Sequence, residues 1–197
     1  MLEVELKSVV DDVPRRRAAI EAVGAVLTFE GRLADRRYDT PEGSLVARDH
    51  VLRVRGYGSG SGERAELGWK GPTGRDGGYK VREELEVSVD DSTAISSILE
   101  RLGFRVTVAI DREIAQYDLS GTMVRFERYP RMDDLVEVEG SPEGIESAIA
   151  ALGLPRDGFT AEPLTEFVQR FQARTGASAM LSDAELRDVS APTVHDA

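Results

Sequence analysis

The sequence predicts an α+β fold in which antiparallel strands close into a β-barrel with a charged lumen, the helices packing on the outside. Three observations lead there. Six segments alternate apolar and charged residues with a period of two, so each reads as a strand with two unlike faces. Most of the charged faces carry Glu or Arg in i, i+2 pairs, although Glu and Asp are poor strand formers. Three of four helical stretches open on a capping residue and close on glycine.

In chain order, Leu2, Val4 and Leu6 interleave with Glu3, Glu5 and Lys7. Asp12-Val13-Pro14 then opens a helix over 15–23, with Pro just inside its start and Gly24 after its end. In 51–55, Arg53 and Arg55 share one strand face, and the Gly/Ser run 56–62 marks a hairpin tip. Arg64, Glu66, Gly68 and Lys70 then alternate with Ala65, Leu67 and Trp69. Past a turn at 71–78, Arg82, Glu84 and Glu86 alternate with Val81, Leu85 and Val87, with Glu83 the exception. Asp91-Ser92-Thr93 caps a helix through Ile95, Ile98, Leu99 and Leu102 to Gly103. Ser120-Gly121 turns the chain into the alternating segments 123–127 and 135–139. Ser141-Pro142 opens a helix through Ile145, Ala148, Ile149 and Leu152 to Gly153, and 164–174 carries Phe167, Val168 and Phe171 on one face. The order strand, glycine-ended helix, several strands occurs twice, which suggests two similar halves. Residues 1–175 read as one domain, and 176–197 as a loosely attached tail with a short helical patch at 183–188.

Composition removes several classes. With 25 Lys+Arg against 36 Asp+Glu, the net charge of −11 argues against nucleic acid as a partner. The absence of Cys excludes disulfides, thiolate metal sites and Cys nucleophiles, and two His leave little for a zinc site. His50 and His195 read as surface residues, and Trp69 as outer core; of Arg36 and Arg37, just before Tyr38, one is expected to face the lumen and the other solvent. No apolar run is long enough to span a membrane, and the first residues lack a signal-peptide pattern, so a cytoplasmic location is expected. The 56–62 run lacks the Lys and Ser/Thr of a phosphate-binding P-loop.

The remaining signal is charge. Glu3 with Glu5, Glu84 with Glu86, and Glu137 with Glu139 repel unless cations lie between them, and Arg53 with Arg55 needs anions. Turning all of these faces into one lumen satisfies them together. Such a lumen would hold a polyanion against Lys and Arg, with a divalent metal bridging it to carboxylates. Oxygen-only donors favour Mg2+ or Mn2+, and the chemistry implied is phosphoryl or nucleotidyl transfer.

Six ordered motifs resemble those of the CYTH superfamily, the triphosphate tunnel metalloenzymes. Glu3-Val4-Glu5-Leu6-Lys7 is similar to its ExExK signature, Tyr38-Asp39-Thr40-Pro41 to YFDTP, and Leu52-Arg53-Val54-Arg55 to LRxR. Trp69-Lys70-Gly71-Pro72 is similar to xKGP, Arg82-Glu83-Glu84-Leu85-Glu86 to RxExE, and Glu137-Val138-Glu139-Gly140 to the closing ExE. The resemblance implies an eight-stranded antiparallel tunnel binding a triphosphate with Mg2+ or Mn2+, often in a homodimer. It implies that Lys7, Arg53, Arg55, Lys70 and Arg82 hold phosphate oxygens, joined by Arg112 and Arg125. It implies that Glu127, Glu137 and Glu139 hold metal, that Glu3 and Glu5 hold metal or position water, and that Lys7 helps orient that water.

Two departures stand out. The family's late KxR strand reads Ile110-Asp111-Arg112, so one phosphate ligand is missing, and Lys80 or Arg125 is the expected substitute. Glu127 stands where the family usually has Asp, and the linking stretch 129–134 lacks the usual glycines. The leading expectation is metal-dependent hydrolysis of an inorganic or organic triphosphate. The alternatives are a class IV adenylyl cyclase, making cyclic AMP and pyrophosphate from ATP, and a non-catalytic polyphosphate- or nucleotide-binding module.

Overall fold

The computed structural model describes residues 2–60, 62–76 and 79–187, with the side chains of residues 2, 3, 76, 79 and 80 outside that description. Its strands are β1 (Leu2–Val9), β2 (Val26–Asp39), β3 (Val51–Ser59), β4 (Gly62–Lys70), β5 (Gly74–Asp76), β6 (Tyr79–Val89), β7 (Arg105–Leu119), β8 (Thr122–Arg128) and β9 (Leu135–Glu139). The helices are α1 (Val13–Ala22), α2 (Ser92–Arg101), α3 (Pro142–Leu152), α4 (Leu164–Thr175) and α5 (Asp183–Leu186). The expected caps hold them. Asp12 accepts from the amide of Arg15, Asp91 from those of Thr93 and Ala94, and Ser141 from that of Gly144.

Every strand pairing is antiparallel, and the order β1-β9-β8-β7-β2-β3-β4-β6 closes because β1 also pairs with β6. The short β5 continues along the edge of β6 that β4 leaves. The result is the expected closed eight-stranded barrel. Its apolar core lies outside the wall. Leu6, Val124, Phe126, Val136 and Val138 pack under α1 and α3, where Ile20, Ile145, Ile149 and Leu152 are almost fully buried. On the other side Tyr38, Val54 and Leu99 pack with Leu52, Leu67 and Ile95 beneath α2. One apolar face departs from this pattern: Leu85 and Val87 on β6 are more than half exposed.

The two similar halves are visible in the pairing. Carrying β1, β2, β3 and β4 onto β6, β7, β8 and β9 turns each inter-strand pairing into another observed one, register included. The bare β6 face follows from the one element that breaks this symmetry. β9 runs on into α3, whereas the counterpart strand β4 runs into the turn before β5.

A third apolar cluster lies on the inner side. Ile110, Tyr129 and Leu135 pack with Phe167 of α4 and with Leu181. Residues 176–187 of the expected tail therefore dock on the barrel. The Arg131 and Met180 backbones pair, the Asp111 amide donates to the Leu181 carbonyl at 2.7 Å, and Ser182 is 1% exposed. Arg32 forms an ion pair with Asp183. Residues 188–197, which include His195, lie outside the described residues. Because Phe167 fills this cluster, Phe167→Ala should cost about 3–5 kcal/mol of unfolding free energy, read by denaturant titration. A loss within the usual surface range of about 0.5 kcal/mol would mean α4 does not seal the barrel.

Candidate functional site

The register fixes which side chains line the bore. Following the strand offsets round the barrel, one inner position per strand falls in the middle layer: Glu5, Arg82, Lys70, Arg53, Asp35, Arg112, Glu127 and Glu137. All eight are charged and at least nine-tenths buried. Glu127, Glu137 and Glu5 form an acidic arc on β8, β9 and β1. Arg82, Lys70 and Arg53 form a basic arc on β6, β4 and β3, with Asp35 and Arg112 between the two arcs. The symmetry that relates the halves reverses sign here. It exchanges Lys7 with Glu84 and Glu137 with Lys70, so the Lys7–Glu137 pair at 2.5 Å answers the Glu84–Lys70 pair at 3.1 Å.

On the acidic side, Lys7 is held between Glu137 and Glu5, its Nζ lying 3.5 Å from Glu5 Oε2. Burial disfavours the Lys7 ammonium, but Glu137, Glu5 and Glu127 outweigh it and raise its pKa. Arg125 bridges Glu137 and Glu127, donating from Nε to Glu127 Oε1 at 3.0 Å. Burial opposes the Glu137 carboxylate too, yet Arg125 and Lys7 hold its pKa well below the usual range. Glu127 also accepts from the Tyr129 hydroxyl at 2.6 Å and lies 3.3 Å from Arg112 Nη1.

On the basic side, Arg53 donates to Glu84 and, at 2.7 Å, to Glu86. Gly68 leaves the space for this side chain, since a Cβ there would meet Arg53 Nε at 3.2 Å. Asp35 lies 3.4 Å from Arg55 Nε and 3.9 Å from Arg112 Nη2. Its burial favours the neutral acid, but Arg55, Arg53, Arg37 and Arg112 keep its pKa below the usual carboxylate range. Among the described residues, buried polar atoms of this region that lack a hydrogen-bond partner are Asp35 Oδ1 and the Nε atoms of Arg37, Arg53 and Arg112. Orphaned polar atoms on charged side chains are costly in a folded protein and point to a polar ligand.

Of the residues anticipated from sequence, Glu5, Lys7, Arg53, Arg55, Lys70, Arg112, Arg125, Glu127, Glu137 and Glu139 share this bore. The Glu3 side chain lies outside the described residues, as does that of Lys80. Arg82 takes an inner position, but its guanidinium is spent on backbone, donating to the carbonyls of Gly71 at 2.7 Å and Asp49 at 2.6 Å. It fastens two loops. Glu127 is committed to Arg125, Arg112 and Tyr129, whereas Glu5 and Glu139 are direct cross-strand partners. One lumen residue escaped the sequence reading, Asp35; of Arg36 and Arg37, one of which was expected to face the lumen, Arg37 is the inward member. Arg36 instead turns outward to Asp111 at 2.7 Å. The strand alternation leading into Tyr38 is the signal that could have found Asp35. His50 stacks edge-on against Trp69 on the outer side at 5.1 Å.

Among the described residues no three His, Cys, Asp or Glu side chains converge into a ready-made metal cage. The oxygen-only pair Glu5 and Glu139 nevertheless fits Mg2+ or Mn2+, which take one or two carboxylates and complete their shells with substrate oxygens.

A family model for the CYTH domain matches residues 1–142. The chain belongs to the CYTH domain family. No curated protein matches the sequence. Among solved structures, a conserved hypothetical protein from Pyrococcus furiosus is 20% identical with a TM-score of 0.68, the match covering 84% of this chain and 99% of that one. A candidate adenylate cyclase from Vibrio parahaemolyticus is 17% identical with a TM-score of 0.73, covering 86% and 98%. A candidate adenylyl cyclase from Hippeastrum, described as having a dominant triphosphatase activity, is 17% identical with a TM-score of 0.60, covering 92% and 98%. At these identities they share the fold of this CYTH protein. Among the described residues no helix is long and apolar enough to cross a membrane.

The depressed Asp35 and Glu137 carboxyls make stability depend on pH. A carboxyl with a lowered folded-state pKa contributes stability above its unfolded value of about 4, and that contribution disappears as pH falls through the folded value. The melting temperature should therefore be flat near neutrality and fall below about pH 4, less steeply in Asp35→Asn. An acid profile identical in wild type and Asp35→Asn would contradict the buried ionised carboxylate.

Proposed function

We propose that this CYTH protein hydrolyses a triphosphate, inorganic or organic, with Mg2+ or Mn2+, inside the barrel. The observation that carries the reading is the facing of an acidic arc and a basic arc across one closed bore, with partnerless polar atoms on its arginines and Asp35. Membership of the CYTH family and the triphosphatase activity of the like-folded Hippeastrum protein support it.

In this reading Arg53, Arg55, Lys70 and Arg112 take phosphate oxygens, exchanging their present carboxylate partners for a ligand of higher charge. Glu5 and Glu139 hold the cation. A bound Mg2+ or Mn2+ would neutralise charge on the phosphate oxygens and polarise the bond to be cleaved. Lys7 stays protonated between Glu137 and Glu5, so it orients a water through donated hydrogen bonds and does not act as the base. Glu5, beside it, is the carboxylate placed to take that water's proton.

The test is product analysis on purified protein with tripolyphosphate, thiamine triphosphate and ATP, with each metal in turn. Orthophosphate release supports hydrolysis. Pyrophosphate with cyclic AMP would replace it with the cyclase reading, and tight binding without turnover would leave a binding module. Lys7→Gln and Glu139→Gln should each lower kcat by about 10²–10³-fold, the scale of one stabilising group, and chelation should abolish turnover. Near-wild-type turnover in both variants would put the site elsewhere.

A further inference from the structure

Among the described residues Arg37 is the lumen cation that the internal ion pairs leave over. It takes an inner position on β2, opposite Arg53 on β3 and Val108 on β7. Its Nε is buried without a hydrogen-bond partner, and its guanidinium joins none of the ion pairs formed among the described residues. Its surroundings are hostile to its charge. Burial comes first, then repulsion from Arg53, Arg112 and Arg55, and Asp35 alone offsets them, so its pKa is lowered. A half-buried guanidinium with an orphaned Nε is costly to keep, and a ligand anion is what would complete it.

Its location says what that would be. Ile110, at the position where a lumen lysine was expected, has turned into the apolar cluster of Tyr129, Leu135, Phe167 and Leu181. Because Asp35 pairs with Ile110 and Arg37 with Val108, Arg37 is the diagonal inner neighbour of Ile110. Of the two expected substitutes, the Lys80 side chain lies outside the described residues and Arg125 is held by Glu127 and Glu137.

We propose that Arg37 is a substrate-binding residue that holds the phosphate lying deepest in the bore, next to the apolar plug, and supplies the charge missing at Ile110. The inference rests on the triphosphate reading and deepens it. A flexible, fully ionised end group is the ligand that suits this place. Among the described residues the plug is apolar apart from the Tyr129 hydroxyl, which is taken by Glu127, so an organic group points to the other mouth. Arg37 thereby favours substrates with a free terminal phosphate over those capped at both ends.

The experiment compares wild type, Arg37→Gln and Arg37→Lys by melting temperature with and without inorganic tripolyphosphate and Mg2+. Arg37→Gln should melt no lower than wild type without ligand, because it removes a repelled charge. Its ligand-induced rise should shrink, with binding weakened about tenfold or more, the scale of one charge-assisted hydrogen bond, and Arg37→Lys should fall between. In turnover the loss should sit in KM more than in kcat. An Arg37→Gln protein that melts lower, or fails to fold, while Arg37→Lys keeps the full ligand-induced rise would make Arg37 structural and overturn the proposal. An undiminished rise in Arg37→Gln would overturn it equally. Wild type with no ligand-induced rise would overturn the triphosphate reading itself.

Discussion

Charge turned inward by a closed sheet is the constraint from which the rest of this structure follows. Once β1 pairs with both β6 and β9, every inner position faces another inner position and little water. Ionised groups there must neutralise one another or await a ligand, because an unpaired buried charge is far more costly than an exposed one. The barrel solves most of this internally, through Lys7 with Glu137, Lys70 with Glu84, Arg125 with Glu127 and Arg53 with Glu86. What it leaves unsolved is concentrated around Asp35, Arg37, Arg53 and Arg112.

The quasi-symmetry explains how one lumen carries both signs. Two copies of a strand–helix–three-strand unit are related by a pseudo-twofold that exchanges β1 with β6 and β2 with β7, and equivalent inner positions have opposite charge: Glu5 against Arg82, Asp35 against Arg112, Arg53 against Glu127, Lys70 against Glu137. A barrel of two identical halves would repeat one sign on both sides. Opposite halves set a basic wall across from an acidic one, the division of labour that a polyanion and a divalent cation bound together require. On the triphosphate reading, it is also what lets a protein of net charge −11 take up a polyanion, since the attraction is local and shielded from the acidic exterior.

Much of this was legible in the sequence because one face of each short strand is apolar and the other ionic. β1, β3, β4, β6, β8 and β9 announce themselves by period two, and α1, α2 and α3 by Asp12, Asp91 and Ser141 at their starts. The two longest strands did not. In β2 and β7 bulges interrupt the alternation, at Leu27/Phe29 and Arg37/Tyr38, and charges such as Arg36 and Asp111 pair on the outer face as well. That hid Asp35, and left open which of Arg36 and Arg37 turns inward. Nor could sequence foresee that Arg82 would be drawn off by the carbonyls of Gly71 and Asp49, which depends on where two loops fold back. The docking of 176–187 rests on Leu181 and Ser182, too short a signal to read before the barrel mouth exists.

The account stands on a ligand being taken into the bore instead of onto the surface, and isothermal titration calorimetry with inorganic tripolyphosphate and Mg2+ at low and high salt tests that most directly. A buried site predicts one ligand per chain and an affinity that survives added salt far better than exposed pairing would, because screening acts weakly inside. Several weak sites that vanish as salt rises, or no heat at all, would contradict it.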